Sequence, residues 1–415
     1  MAQATPFPKK HILILGGSYG GVATAHYVSK HIIPALPNPS SYQVILVSAS
    51  TQAMCRPACP RALISDDMFP QDKLFVSITQ QLKQYGSEMC RFVHGTATMV
   101  NHEKRSVSVK LSTGEEEEFG FHTLVIATGA STPSPLLGLN TDSTALREAW
   151  ATFRKALPTA KSIVIAGGGP AGVEVAGELG EYLNGCAGWF ESKLNSPKVD
   201  IMLITSGKEI LPHLRPTIAQ TAEGYLAKVG VTIIKNARVE RLEPENTGLA
   251  IASLVTKATL SLSNGTTLSA DLYIPATGAK PNTSFIPPSL LELDGRIKTN
   301  KQTLRVDAAS HPRIYAIGDA SSYARPAIHN IIAAIPILGA NIKRDLLLDA
   351  GKPESEVGPE SIFEEDLRET QLVPIGKSKG VGSAMGWRIP SWIVWMIKGR
   401  DYWLWTTAKL WSGRQ

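Results

Sequence analysis

The sequence predicts an α/β fold: two Rossmann-like dinucleotide-binding modules followed by a C-terminal extension. Three observations carry this. Two glycine-rich loops, Gly16-Gly17-Ser18-Tyr19-Gly20-Gly21 and Gly167-Gly168-Gly169-Pro170-Ala171-Gly172, stand 151 residues apart. Each leads to an Ala-Thr-Gly: Gly129 of Ala127-Thr128-Gly129 lies 113 residues after Gly16, and Gly278 of Ala276-Thr277-Gly278 lies 111 after Gly167. Each loop also sits between an apolar run and a helical stretch. One G-x-G-x-x-G is a weak signal, but the same unit twice at nearly equal internal spacing is a strong one. A chain with two dinucleotide sites most often passes electrons from one to the other.

In the first module, His11 to Leu15 reads as a buried parallel strand running into the loop. Val22 to Lys30 reads as a helix ended by Pro34, Pro37 and Pro39, and Tyr42 to Val47 as the next strand. Glycines let the backbone turn tightly and approach a pyrophosphate, and a helix N-terminus adds free N–H groups and partial positive charge. Ser18 replaces the usual middle glycine and is small enough to keep the site. The second module repeats the order: strand Lys161 to Ala166, helix Val173 to Leu183, strand Val199 to Thr205.

A hairpin precedes each Ala-Thr-Gly. In the first, Ser106 to Leu111 turns through Ser112-Thr113-Gly114 into Glu115 to Phe119, with Glu115 to Glu118 as a solvated arm. In the second, Thr259 to Ser263 turns at Asn264-Gly265. Ile314 to Ile317 then leads into Gly318-Asp319, which places a carboxylate at the C-terminal end of a buried strand, where open α/β sheets bind ligands. Such a carboxylate can accept hydrogen bonds from a polyol. Alternatively, Asp319 caps a helix.

Composition narrows the function. The chain has 415 residues, 43 % of them apolar, enough to bury sizeable cores. The formal charge is +6, yet no dense Lys/Arg block occurs, which argues against nucleic acid as a partner. Four cysteines, Cys55, Cys59, Cys90 and Cys186, are too few for a disulfide scaffold and lack paired metal-binding spacing, so no metal is expected. Met1 to Lys10 shows no secretory signal, Met1-Ala2 no myristoylation start, and no apolar run reaches a membrane span. A cytoplasmic protein is expected, peripheral on mitochondrial or other organelle membranes if the tail described below is an anchor.

The order GGSYGG, ATG, GGGPAG, ATG, IGD resembles the flavoprotein pyridine-nucleotide disulfide oxidoreductases, with a glutathione-reductase-like plan, over residues 10 to 345. Within that superfamily the chain is most similar to the apoptosis-inducing-factor-like, mitochondrion-associated oxidoreductases of the ferroptosis-suppressor type. The similarity rests on GGGPAGVEVAGEL (167–179), CRPACPRAL (55–63), and the tail segments Gly380-Val381-Gly382 and Ile397-Lys398-Gly399-Arg400-Asp401. The resemblance implies FAD on the first loop, NAD(P)H on the second, and reduction of a quinone. It assigns FAD contacts to Gly16, Gly17, Ser18, Tyr19, Gly20, Gly21, Arg61, Ala127, Thr128, Gly129, Gly318 and Asp319. NAD(P)H falls to Gly167, Gly169, Gly172 and Gly278, and Val93 is counted among the cofactor-binding positions. It divides the chain into an FAD-binding domain (1–145 and 281–350), an inserted NAD(P)H-binding domain (146–280) and an aromatic tail (351–415).

The chain departs from the family pattern at two strand ends. Ser48 stands where an acid normally holds the FAD ribose, and is counted among the cofactor-binding residues because it can still donate or accept one hydrogen bond there. The second equivalent strand ends Ile204-Thr205-Ser206-Gly207-Lys208, with no carboxylate to favour NADH and with Lys208 available to a 2′-phosphate, which leans towards NADPH.

Glu174, at the start of the second helix, is the candidate catalytic residue, for nicotinamide positioning or proton transfer; a carboxylate that simply complements the helix dipole is the alternative. Cys55 and Cys59 form C-x3-C, which invites a thiol relay, but small packing cysteines fit better. His329 is expected to be structural, beside an apolar helix from Ile331 to Leu338.

Six of eight tryptophans fall in the last 29 residues, interleaved with Arg388, Lys398, Arg400, Lys409 and Arg414. That composition suits a membrane-interface anchor giving access to a lipid-soluble quinone. A tail docked on the body or a homodimer interface has the same composition. A soluble reductase of a disulfide or specialised small molecule, and a redox-gated signalling protein, are the competing functions.

Overall fold

A computed structural model of the chain describes residues 9–309 and 311–414. The segment Met1 to Lys10, read above for a secretory signal, lies almost wholly outside them. Among the described residues the larger sheet has seven strands. Their order is Ile314–Ala316, Thr123–Ile126, Lys10–Leu15, Tyr42–Ser48, Cys90–Asn101, Ser106–Leu111 and Glu116–Gly120. The first five run parallel, and the hairpin adds the last two antiparallel. The chain thus leaves this sheet after Ile126 and returns at Ile314. Ile12, Leu13, Ile14, Leu124, Val125 and Ile126 are buried on both faces, as a covered parallel sheet requires.

Between those points the chain builds a second parallel sheet, in the order Val231–Ile234, Asp200–Ile204, Ser162–Ala166 and Leu272–Pro275. The hairpin expected at Asn264-Gly265 pairs Ala258–Leu262 with Thr267–Ala270, and Val239–Glu243 joins as a third antiparallel strand. This is the α/β fold with two Rossmann-like modules and a C-terminal extension that the sequence predicts.

Helix boundaries differ from expectation. The first helix begins at Tyr19 rather than Val22, with Ser18 as N-cap, and after Tyr27 continues through a π-turn (Val28–Ile32) and a 3-10 turn (Ile33–Ala35). Pro34 opens that last turn, where its missing N–H costs nothing. The helix expected at Ile331 to Leu338 spans Ile328–Asp349 and contains Pro336. Burial of Ile331, Ile335, Leu338, Ile342 and Leu346, each contributing about 1.5–3 kcal/mol, offsets the proline's cost of about 3 kcal/mol.

The tail folds onto the body. Gln371–Ile375, Lys379–Ala384 and Trp387–Arg388 form an antiparallel sheet against the second module's helices Pro170–Asn184 and Pro216–Lys228. Pro390 caps Ser391–Val394, a π-turn covers Trp395–Gly399, and Leu404–Trp411 is the last helix. Trp411 is buried against Tyr19, with ring centroids 4.8 Å apart. No helix among the described residues is long and apolar enough to cross a membrane.

Candidate functional site

The two loops share one construction. Gly16 adopts φ +111° and Gly167 φ +129°, and a Cβ on either would collide with the carbonyl oxygen of Ala127 or Ala276 respectively. The Ala-Thr-Gly that follows each loop in sequence therefore packs directly on its first glycine, which is why the spacing repeats. A Cβ on Gly17 would strike the Ser48 hydroxyl, and one on Gly168 the Thr205 hydroxyl. Ser48 and Thr205 are thus equivalent strand-end residues.

The helices behind both loops, Tyr19–Tyr27 and Pro170–Asn184, have no side-chain cap at their N-termini. Their first N–H groups need partners, which a phosphate would supply. Around Gly129, Gly169 and Gly278 a Cβ would meet nothing within 4 Å. Both loops fit a dinucleotide.

Two cavities meet at the first loop, sharing Ser18, Arg56, Ala127 and Gly129 in their walls. One, of about 360 Å³, is lined by Gly16, Gly17, Ser48, Thr128 and the strand residues Gly95, Thr96 and Ala97. The other, of about 380 Å³, takes Tyr19, Gly20, Gly318 and Asp319 from the first sheet, Pro170, Ala171 and Glu174 from the second module, and Lys398 from the tail. Asp319 caps no helix, because the next begins at Ile328 with Ala327 as its N-cap; instead Asp319 Oδ2 lies 3.4 Å from Arg56 Nη1. An extended groove with the Asp319 carboxylate in one of its walls fits FAD.

Glu174 is 3 % exposed, and its Oε1 lies 2.5 Å from Lys398 Nζ. Lys398 also donates to the Leu372 carbonyl at 3.1 Å. Burial pushes the Glu174 carboxyl up to about 7, against the pull of Lys398. A carboxyl that titrates near neutral pH, with an ammonium against it and an open cavity beside it, can hold or release a proton.

Two expected contacts fall elsewhere. Arg61 lines neither cavity. Its Nε and Nη2 fork onto Glu178 at 2.9 and 2.7 Å, and it donates to the carbonyls of Gly399 (2.7 Å), Gly376 (3.2 Å) and Arg400 (3.3 Å). Its guanidinium carbon stands 4.8 Å from the centroid of the Tyr402 ring, whose hydroxyl donates to Glu178 at 2.9 Å. Arg61 is a clamp between the first module, the second module's helix and the tail. Val93 is core beneath its strand, and Gly95, Thr96 and Ala97 reach the cavity instead. Gly21, Gly167, Gly169, Gly172 and Gly278 line neither cavity, and a Cβ on Gly21 or Gly172 would collide with the carbonyl oxygen of Gly16 or Gly167. Sequence reasoning missed Lys398 and Arg56 as site residues; Lys398 stood in the quoted tail motif and Arg56 in the quoted Cys55 segment.

The cysteine pair is unsuited to a thiol relay. Cys55 and Cys59 are both free and buried. Burial pushes the Cys55 thiol up to about 11 and that of Cys59 further still, where the thiolate that such chemistry needs is scarce. Cys55 is tied to Tyr19 Oη (3.5 Å) and the Tyr402 carbonyl (3.4 Å). His329 is exposed in the first turn of Ile328–Asp349, its pKa lowered by partial desolvation and by Arg325. Trp387 (77 % exposed), Trp392 (64 %) and Trp405 (56 %) remain open to solvent while Trp411 does not.

A family model, "Pyridine nucleotide-disulphide oxidoreductase", matches residues 10–336. The oxidoreductase phnG of Penicillium herquei is 59 % identical over 414 residues, covering 100 % of this chain and 99 % of that protein. Human ferroptosis suppressor protein 1 is 26 % identical over 410 residues, covering 96 % and 95 %. Among solved structures, an NDH2 from Plasmodium falciparum in complex with NADH superposes with a TM-score of 0.66 at 16 % identity, covering 98 % of this chain and 99 % of that one, a likeness of fold.

Proposed function

This chain belongs to the pyridine nucleotide-disulphide oxidoreductases, and we propose that within them it is an NAD(P)H:quinone oxidoreductase carrying non-covalent FAD, close to the ferroptosis-suppressor branch. The balanced reaction takes NAD(P)H, a proton and a quinone to NAD(P)+ and the hydroquinone. Bound FAD supplies the two-electron chemistry, accepting hydride from the nicotinamide and returning electrons to the acceptor.

One observation carries the reading. Glu174 of the second module, Asp319 of the first and Lys398 of the tail line a single cavity. Asp319 would hold the ribityl hydroxyls, and the loops at Gly16 and Gly167 the two pyrophosphates. Glu174 would hold the proton that the quinone must gain, with Lys398 fixing the carboxylate once it is ionised. The apolar wall of Pro57, Pro60, Leu137, Ile328 and Ile331 suits a flat, poorly hydrated acceptor. The division at residues 145, 280 and 350 belongs to the same reading.

The exposed tryptophans, close in sequence to Arg388, Arg400 and Lys409, support peripheral contact with an anionic membrane surface, on mitochondria or another organelle. Such contact gives a lipid-soluble quinone a short path to the protein.

The test is anaerobic stopped-flow on the purified yellow protein, reduced by NADH or NADPH and then mixed with a short-chain ubiquinone or a disulfide. Rapid reoxidation by the quinone alone is expected. Reoxidation by the disulfide in a Cys55-dependent manner would overturn the reading.

A further inference from the structure

Although the tail packs on the body, its outer face is apolar. Pro390 opens a continuous helical run, Ser391–Val394 followed by the π-turn Trp395–Gly399. Trp392, Trp395 and Met396 stand at helical spacing on one face of that run, and all three are exposed. Trp405, exposed on the next helix, joins them, because its Nε1 donates to the Ile397 carbonyl at 3.4 Å. From Met385 to Arg414 the chain has five basic residues and one acid, Asp401. Lys398 is buried, while Arg388, Arg400, Lys409 and Arg414 are exposed. Aromatic rings and a thioether in a cationic stretch match the interface of an anionic bilayer.

The same turn carries a side chain into the cavity shared by the two modules. Lys398 Nζ lies 2.5 Å from Glu174 Oε1 and 5.0 Å from the centroid of the Trp403 ring. Exposed rings touch the chain on both sides of it. Trp405 bonds the Ile397 carbonyl, and a Cβ on Gly399 would meet Trp395 Cδ1 at 3.3 Å. From inside, Arg61 donates to the Gly399 carbonyl at 2.7 Å and Tyr402 N–H to the Lys398 carbonyl at 2.6 Å. Tyr402 and Trp403 adopt φ +51° and +68°, a left-handed conformation that bulky residues take only where their surroundings enforce it. The exposed rings and the cavity lysine are thus parts of one strained turn. The conformation that displays the rings together is the one that seats Lys398 on Glu174.

We propose that an anionic lipid surface docks on Trp392, Trp395, Met396 and Trp405 and thereby holds Lys398 seated in the acceptor cavity, so that membrane contact activates the site as well as anchoring the protein. The inference rests on the membrane and quinone readings given under Proposed function. A surface that binds the seated turn better than an unseated one shifts the population towards it. Linkage is reciprocal, so loss of the Lys398–Glu174 contact must weaken lipid binding although both side chains are buried.

The test mixes the flavin-loaded full-length protein with phosphatidylcholine vesicles, with and without phosphatidylglycerol. Binding is read by co-sedimentation and the site by visible flavin absorbance. Anaerobic reoxidation uses a short-chain, water-soluble ubiquinone, whose supply does not depend on the bilayer. We expect vesicles containing phosphatidylglycerol to bind, to shift the flavin band, and to speed reoxidation at least about fivefold. Trp392→Ser/Trp405→Ser should lose that response and keep the lipid-free rate. Lys398→Met and Glu174→Gln should each bind the same vesicles about fivefold more weakly. Glu174→Gln keeps a hydrogen-bonding group of the same shape, so it retains the fold even where Lys398→Met does not. Vesicle binding equal to the parent's in Glu174→Gln, with flavin band and reoxidation unmoved by lipid in the parent, would overturn the coupling and leave the membrane reading standing. No vesicle binding, or a doubled mass that Trp392→Ser/Trp405→Ser abolishes, would overturn the membrane reading and this inference together. The lipid-free reaction with ubiquinone decides the quinone reading in either case.

Discussion

Replacing Arg61 by alanine should destabilise the protein by about 4 kcal/mol. The Arg61 and Glu178 side chains are 8 % and 4 % exposed, so water screens the pair little. Deleting one partner of a buried ion pair costs about 3–5 kcal/mol, chiefly by stranding the other charge. Here Tyr402 still donates to Glu178 at 2.9 Å, which favours the lower part of that range. The Gly399 carbonyl loses its 2.7 Å donor, adding about 1 kcal/mol. Removing both charges in Arg61→Met/Glu178→Met strands neither, and should cost less than half as much as Arg61→Ala. The assay is urea unfolding of the single and double variants, followed by tryptophan fluorescence. Because Gly399 adjoins Lys398, Arg61→Ala should also disturb the pH dependence of the quinone step. A loss under about 1 kcal/mol for Arg61→Ala, or a double variant as unstable as the two singles combined, would refute the clamp.

Further outcomes follow from the same geometry. Quinone reduction consumes a proton, so reoxidation should slow as pH rises past about 7, where Glu174 loses its own; a Glu174→Gln profile should show no such break. Truncation after Met385 removes Lys398 from the cavity and Trp411 from the core beside Tyr19, so the shortened chain should lose bound flavin, read from the loss of its visible flavin absorbance. Trp392→Ser/Trp405→Ser removes exposed rings only, and should reduce flotation with anionic vesicles several-fold while thermal stability stays within about 1 kcal/mol.

The modules were legible because their signals are local and repeated. Strand, glycine loop and helix lie within about 20 consecutive residues, and the collision of Gly16 with Ala127, repeated by Gly167 with Ala276, leaves its mark as a fixed spacing. The first helix starts early because Tyr19, Gly20 and Gly21 become helical only with the sheet beneath them, a tertiary effect that outweighs glycine's poor propensity. Which tail residues pack on the body was not legible, for the same reason. Its tryptophans read alike by composition, but Trp411 is core and Trp392 is surface, a distinction set by contacts hundreds of positions away. Arg61 meets Gly399 across 338 positions and Lys398 meets Glu174 across 224. No periodicity in the chain records those partners, so the clamp and the buried ion pair emerged only with the fold.

The most direct test of the central claim is an anaerobic titration of NADPH and a short-chain ubiquinone with catalytic amounts of the purified flavin-loaded protein, following both nicotinamide oxidation and hydroquinone formation. The account predicts one hydroquinone for each NADPH consumed, with the cysteine pair replaced by serine making no difference to that ratio. NADPH oxidation that requires oxygen or a disulfide, with no hydroquinone formed, would contradict it.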